Sequence, residues 1–300
     1  MTRLIAAQAG WAKPFGDFNN RWLTALFRPM HIVKDFLNGS WLGHPLHAVL
    51  TDVPIGAFTL LVVFDFLGLE AAADVSLIIG LLAMVAAAVA GLADYTDTDD
   101  HPRIVATVHA TIMTVSLVLF LVSLVLRLGA PAGPPSVAIL ALDVVAYLVL
   151  ALGAYVGGEV VYTLGNMVNR HAWRFFGPGK WQALDVTEIA EGALVKAKAG
   201  QQTLVIIRNG ETILALHETC AHAGGPLAQG KLIDGNVVEC PWHGSRFEMA
   251  TGHRRRGPTD YDQPRFEVRR SATGGWEARR VSVGSGEPPE VAASGAAAPK

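Results

Sequence analysis

Three hundred residues with a formal net charge of −2 and no block of Lys and Arg exclude a nucleic-acid binder of the basic kind. Hydrophobic residues make up 51% and charged residues only 17%. The long apolar runs all lie between residues 46 and 163, so the composition reads as a membrane protein with a polar attachment.

Residues 1–45 form an N-terminal segment. Its apolar stretch Ile5 to Trp11 is too short for a signal-peptide core, and Lys13 interrupts it. Over residues 18–37, Trp22, Leu23, Leu26, Phe27 and Met30 or Ile32 fall near helical spacing with Arg21, Arg28 and Lys34 interleaved. Pro29 should kink or divide that helix. Two readings stand: an interfacial amphipathic helix, or a helix packed on its own domain.

Four apolar spans follow within residues 46–166. They run from about His47 to Leu67, Val75 to Leu92, Ile104 to Leu126 and Val137 to Tyr162, each near the length that crosses a hydrocarbon core. The connections, Glu70–Asp74, Asp94–Arg103 and Leu128–Ser136, are short, which predicts an antiparallel four-helix transmembrane bundle. Small residues crowd the second span at Ala83, Ala86 to Ala88, Ala90 and Gly91, which suits close helix approach. Near the membrane, Arg28, Lys34, Arg103, Arg170, Arg174 and Lys180 fall on the side of both termini, and only Arg127 falls on the other. This bias predicts a multi-pass protein of the inner (plasma) membrane with both termini cytoplasmic.

Polar side chains inside spans are costly and point to function. His44, His47 and Asp52 open the first span, His109 lies early in the third and Glu159 late in the fourth, all toward the cytoplasmic end. Asp65 and Asp143 belong to the opposite half. Three readings compete for the cytoplasmic group. His47 and His109 could be axial ligands of a haem b between the first and third spans, with His44 an alternative ligand three residues from His47. His47, His109 and Glu159 could instead hold a quinone headgroup and relay its protons. The third reading makes the histidines helix-end residues bonded to carbonyls.

Residues 167–182 read as a juxtamembrane linker. His171, Trp173, Arg174, Phe175, Phe176, Lys180 and Trp181 mix aromatic and basic character, which favours the headgroup level. Gly177-Pro178-Gly179 breaks any helix there. Strand patterns then fill residues 183–282. Val195 to Ala199 alternates; Thr203 to Arg208 and Thr212 to Leu216 flank Asn209-Gly210, a hairpin signal. Asn236 to Glu239, Arg265 to Arg269 and Trp276 to Val281 complete a small antiparallel β-sandwich. Residues 283–300, rich in Gly, Ala, Ser, Glu and Pro, are expected to be a disordered tail.

Both cysteines of the chain lie in this β domain, each in a short loop with a histidine: Cys220-x-His222 and Cys240-x-x-His243, with seventeen residues between His222 and Cys240. Two thiolates and two imidazoles permit a Cys2His2 zinc site or a [2Fe–2S] cluster with two cysteines on one iron and two histidines on the other. The flanking Gly224, Gly225, Pro226, Pro241, Gly244 and Ser245 favour the cluster, because glycines let backbone N–H groups approach sulfur closely. A zinc finger would carry its histidines on a helix, whereas here both pairs lie among strands.

At these residues the sequence resembles the Rieske iron–sulfur family, and the resemblance extends over the whole β domain, including Thr251-Gly252 and Gly257-Pro258. It implies that Cys220 and Cys240 hold the inner iron while His222 and His243 hold the outer iron and face solvent, with Gly224, Pro226, Pro241 and Ser245 around the cluster. Respiratory members add a loop disulfide, absent here, and a Ser and a Tyr that donate to sulfur. Ser245 matches the first donor, but Phe247 has no hydroxyl. The resemblance therefore implies a potential below the respiratory class, nearer the ferredoxins of aromatic-ring oxygenases. Residues 38–166 resemble an uncharacterised bacterial four-helix membrane family (DUF2231-like), through Gly43-His44-Pro45-Leu46-His47, Pro54-Ile55-Gly56, His109 and Gly157-Gly158-Glu159-Val160-Val161-Tyr162.

The chain thus reads as an all-α four-helix transmembrane bundle followed by an all-β Rieske-type sandwich. The expected function is one-electron transfer between a soluble cytoplasmic partner and a membrane redox group: a haem, a quinone or an oxidoreductase. The expected partners are membrane lipid and a redox protein or quinone, without nucleic acid. Alternatives are a redox-sensing or structural membrane module, or a component of a Rieske-type oxygenase system. The chain reads more readily as an electron carrier or oxidoreductase subunit than as a stand-alone enzyme.

Overall fold

The computed structural model describes residues 4–5, 7–131, 133–172, 179–272 and 274–281. The expected tail over 283–300 and the linker residues 173–178 lie outside the described residues. Two compact units divide between Met167 and Val168.

The N-terminal unit begins with α1 (Ala9–Phe27) and α2 (His31–Asn38). The break between them contains Pro29, as the missing N–H requires. Four long helices follow: α3 (Leu46–Phe66), α4 (Glu70–Tyr95), α5 (Asp100–Leu128) and α6 (Val137–Gly158), the last running on into a π-helical turn, Glu159–Thr163. All four are long and apolar enough to cross a membrane. Glu70–Asp74, expected as a loop, is instead the first turn of α4, where Glu70 meets the positive helix end and Ala71 to Ala73 favour helix. Ser136 caps α6 by accepting from the Ile139 N–H at 3.4 Å.

Helix α1 buries Ala12, Gly16, Leu23 and Phe27 and exposes Trp11, Phe15, Phe18, Trp22 and Leu26. Polar contacts fasten α1 and α2 to the α4–α5 turn: Arg103 to Asp17 at 2.8 Å, Lys34 to Asp97 at 2.5 Å and Asn38 to Asp94 at 2.7 Å. One face packs on its own unit, as the second sequence reading of this segment expected, and the other presents an apolar stripe.

The bundle consists of two hairpins, α3–α4 and α5–α6, each packed most extensively within itself. Equivalent positions of α3 and α5 meet along the middle of the bundle, each pair 62 residues apart in sequence. His47 faces His109 with ring centroids 6.3 Å apart. Phe58 stacks on Phe120 at 3.7 Å. Asp65 pairs with Arg127 at 2.5 Å, and Arg127 also reaches Asp143 at 2.7 Å and Asp74 at 3.1 Å. Arg127 is only 8% exposed. A buried guanidinium is tolerated because carboxylates surround it. Both ends of the α3–α5 seam are therefore polar and the centre is aromatic.

The C-terminal unit is a pair of antiparallel sheets. The larger has the order β1-β10-β9-β4-β3-β2 and the smaller β5-β6-β7-β8. In the larger sheet, β1 (Gln182–Ala183), β2 (Val195–Ala199), β3 (Gln202–Asn209), β4 (Thr212–His217), β9 (Arg265–Arg270) and β10 (Trp276–Arg280) follow the sequence pattern closely. Gly210 turns the β3–β4 hairpin at φ +61°. Leu204 to Ile207 are buried on both faces. Val205 and Ile207 join the core that contains the two cysteines, while Leu204 and Ile206 pack on the opposite side. The smaller sheet, β5 (Lys231–Ile233), β6 (Val237–Glu239), β7 (Arg246–Glu248) and β8 (Arg254–Arg256), carries the cysteine loops at its end. Trp181, expected at the headgroup level, lies on the larger sheet under Arg269 (3.9 Å) and Arg279 (4.8 Å).

Candidate metal centre

Two loops of nearly identical build hold the sulfurs. One leaves β4 and runs to a 3-10 turn, Leu227–Gln229; the other joins β6 to β7. In each, the cysteine N–H donates to the carbonyl five residues on: Cys220 to Gly225 and Cys240 to Ser245, both at 2.8 Å. In each, the glycine four residues on returns its N–H to the cysteine carbonyl, Gly224 at 3.0 Å and Gly244 at 3.2 Å. These two glycines lie at φ +89° and +78°, where a side chain would be strained. The loop closure turns two amides onto each sulfur: those of His222 and Ala223 onto Cys220, and those of Trp242 and His243 onto Cys240. Such a nest of N–H groups stabilises negative charge.

The sulfurs face each other as free cysteines, 1% and 4% exposed, within hydrogen-bond distance. The bond from Cys220 holds the Cys240 thiol down, to about 7, against burial. That same bond, then burial, pushes the Cys220 thiol up. The imidazoles of His222 and His243 lie with centroids 5.0 Å apart at 85°. Among the described residues, no three of His, Cys, Asp and Glu converge on one ion position. The side chains form a thiol pair and an imidazole pair. A single zinc needs one convergent set of four, whereas a two-iron cluster takes one pair per iron. The residues therefore fit a [2Fe–2S] cluster, with Cys220 and Cys240 on one iron and His222 and His243 on the other.

The surroundings fix the loops. Gln263 donates to the carbonyls of His217 and Thr219, both at 2.6 Å, and accepts from the Ala221 N–H at 2.9 Å. Ser245 is fully buried and accepts from the Thr259 N–H at 3.3 Å. Pro226 pairs back to Thr219 across the first loop, and Pro241 is exposed in the second. Phe247 is fully buried in the core shared with both cysteines. The expectation that both histidines face solvent holds for His243, which is partly exposed, and fails for His222, which is 3% exposed. The segment before the sheet lies over that loop: the Arg170 N–H reaches the Ala221 carbonyl at 3.2 Å, and His171 Nε2 donates to the Thr219 carbonyl at 2.8 Å.

In the membrane unit the structure joins two of the four singled-out residues. His47 and His109 face each other across α3 and α5. His44 is exposed and precedes the helix, because Pro45 sits before its first turn, so it does not share a helix face with His47. Glu159 is half-buried in the π turn. The sequence reading missed Gln263, whose signal is absent without the fold, and named Gly91 and Gly157 without their contact with the two histidines. The 62-residue repeat of His-Ala at 47–48 and 109–110 could have paired the two histidines with each other.

Residues 171–267 match the Rieske [2Fe-2S] domain, and residues 43–170 match a predicted membrane protein family (DUF2231). The anthranilate 1,2-dioxygenase ferredoxin subunit of Burkholderia cepacia is 32% identical over 74 residues, 24% of this chain and 68% of that subunit. The chain belongs to the Rieske [2Fe–2S] family. Ferredoxin CarAc of Metapseudomonas resinovorans is 37% identical over 71 residues, and the p-cumate 2,3-dioxygenase ferredoxin component of Pseudomonas putida is 35% identical over 68. The chain spans 65% and 57% of the length of these two relatives, under two thirds of each. Among solved structures, the ferredoxin of carbazole 1,9a-dioxygenase from Nocardioides aromaticivorans is 22% identical with a TM-score of 0.29, over 35% of this chain and 98% of that one. The Rieske domain at residues 171–267 implies a [2Fe–2S] cluster.

Proposed function

We propose that this protein is a membrane-anchored electron carrier that moves single electrons between a soluble redox protein and a redox group within its own membrane unit. The observation that carries the reading is the split of four buried or half-buried ligands into a thiol pair and an imidazole pair, each sulfur facing two amides. When bound, the cluster supplies reversible one-electron chemistry. The protein's own residues hold the ligands still: Gln263 and the two glycine turns fix the loops, so little reorganises on electron transfer. Ferredoxin components of dioxygenase systems are the similar proteins, which favours a soluble oxidoreductase as the partner. Four membrane-length helices support anchoring. The basic residues Arg28, Lys34, Arg103, Arg170, Arg174 and Lys180 support cytoplasmic termini, the more so because Arg127 is withdrawn into an internal ion cluster.

Electron paramagnetic resonance of the dithionite-reduced full chain should give the low mean g value of a histidine-ligated cluster, with a potential in the range of roughly −150 to +300 mV. Anaerobically prepared protein containing zinc and no iron would sink the reading. A reporter fused after Lys300 that is active only outside the cytoplasm would overturn the orientation.

A further inference from the structure

His47 and His109 share an arrangement that packing alone does not require. Each ring uses Nδ1 against a backbone carbonyl of the next helix in its own hairpin: His47 on Ala87 and His109 on Gly153, both at 2.8 Å. Each ring also lies against a glycine one turn further on. A Cβ at Gly91 would stand 2.9 Å from His47, and one at Gly157 would stand 2.9 Å from His109. The two hairpins thus repeat one device: a histidine on the first helix, a carbonyl and a glycine four residues apart on the second.

Tying Nδ1–H to a carbonyl fixes the neutral ring in the tautomer whose Nε2 is bare. Among the described residues neither Nε2 has a hydrogen-bond partner, and both rings are partly exposed. This is how a metal-ligating histidine is oriented from behind. A bare Nε2 accepts from a quinol hydroxyl but offers nothing to the carbonyl of the oxidised quinone, so it holds only one of the two states. A bare divalent ion would need further ligands, and no third His, Cys, Asp or Glu joins the pair among the described residues. A haem brings four nitrogens of its own and needs two axial ligands on opposite sides. Two metal–nitrogen bonds of about 2.1 Å and two ring half-widths of about 1.1 Å, laid end to end, set such ring centroids roughly 6.4 Å apart. The observed separation is 6.3 Å.

We infer that His47 and His109 are the axial ligands of one haem held between α3 and α5. This deepens the electron-transfer reading and rests on it for the direction of use: the ferric iron takes the single electron released by the reduced cluster and becomes ferrous, with no bond made or broken. Gly91 and Gly157 are positioning residues that let the Nδ1–Cε1 edges of the rings approach α4 and α6.

The test is the full chain expressed with haem supply and purified in detergent. One haem per chain is expected, low-spin in both oxidation states. The rings stand at 74°, so the ferric form should give a strongly anisotropic low-spin resonance. His47→Ala and His109→Ala should each lower haem content at least about tenfold or convert the residue to high-spin, while the reduced-cluster resonance persists. His101→Ala, at an exposed position, should keep its haem. Gly157→Leu should displace the His109 ring and shift the low-spin signal even where haem is retained. A normal cluster resonance with no haem after hemin reconstitution, or with quinone bound instead, would overturn the haem site and leave the electron-transfer reading standing. Low-spin haem surviving in both histidine variants would also overturn it. Haem without a cluster resonance would support the site and sink the electron-transfer reading.

Discussion

Gly225→Ala is the sharpest probe of the cluster loops. A Cβ at this position would lie 2.7 Å from Cys240 Sγ and 3.1 Å from two atoms of the Trp242 ring. Ordinary contact between such atoms is about 3.5–4.0 Å, so roughly 1 Å of movement is needed. The glycine cannot withdraw freely, because its carbonyl accepts from Cys220 at 2.8 Å. The sulfur cannot withdraw either, since Cys240 is 4% exposed and packed in the core. Overpacking of this kind costs about 1–3 kcal/mol, or a factor of roughly 5 to 150 in occupancy at about 1.4 kcal/mol per decade. Iron per chain and the spin count of the reduced cluster should fall by fivefold or more after anaerobic purification. Gly224→Ala is the comparison. Its Cβ would meet nothing closer than 3.7 Å, but its φ is +89°, so it should lose about 1–2 kcal/mol of stability while retaining the cluster. Full iron content and an unchanged potential in Gly225→Ala would refute the steric argument.

Three further outcomes are expected. Ser245→Ala should lower the cluster potential by on the order of 50–100 mV in a redox titration, because a hydroxyl donor to sulfur stabilises the reduced state; an unchanged potential would show that the hydroxyl serves only the Thr259 amide. Asp260 is buried with no hydrogen-bond partner on either oxygen among the described residues, and burial pushes its carboxyl up from 3.8 to about 7. The folded state therefore binds the proton more tightly than the unfolded chain, so stability is greatest below about pH 4 and falls as pH rises toward 7, by roughly 2–4 kcal/mol at most. Asp260→Asn should raise the melting temperature of the cluster domain at pH 8.5 and leave it nearly unchanged at pH 4; equal shifts at both would contradict this. Arg127→Met strands Asp65 and Asp143 and should cost about 3–5 kcal/mol of bundle stability in detergent, with recovery when both carboxylates are also made Asn. A stable single variant would mean that the ion cluster is not what holds that end.

Much of the fold was legible because periodicity reports burial directly. Four apolar stretches of membrane length appear as four helices, and the alternation of Val195 to Ala199 appears as a strand. The smaller sheet was harder to read. Strands β5, β7 and β8 are three residues each, and β8 is Arg254–Arg256, which carries no apolar signature. The four candidate cluster ligands were readable from residue type and spacing, since few chemistries use two Cys-His pairs in short loops.

The sequence by itself determined the candidate ligands, the order of membrane and β segments, and the residues that a membrane excludes unless they have a use. Tertiary structure decided the rest, because contacts between residues far apart in the chain leave no local pattern. It separated thiols from imidazoles, which disfavours zinc. It buried His222 and tied Arg170 and His171 to the carbonyls of Ala221 and Thr219 in the same loop. It brought Gln263 onto the first loop from more than forty residues away, set His47 against His109 and left His44 outside the helix. Those pairings depend on how helices and sheets pack, and packing is a property of surfaces that no short stretch of sequence contains.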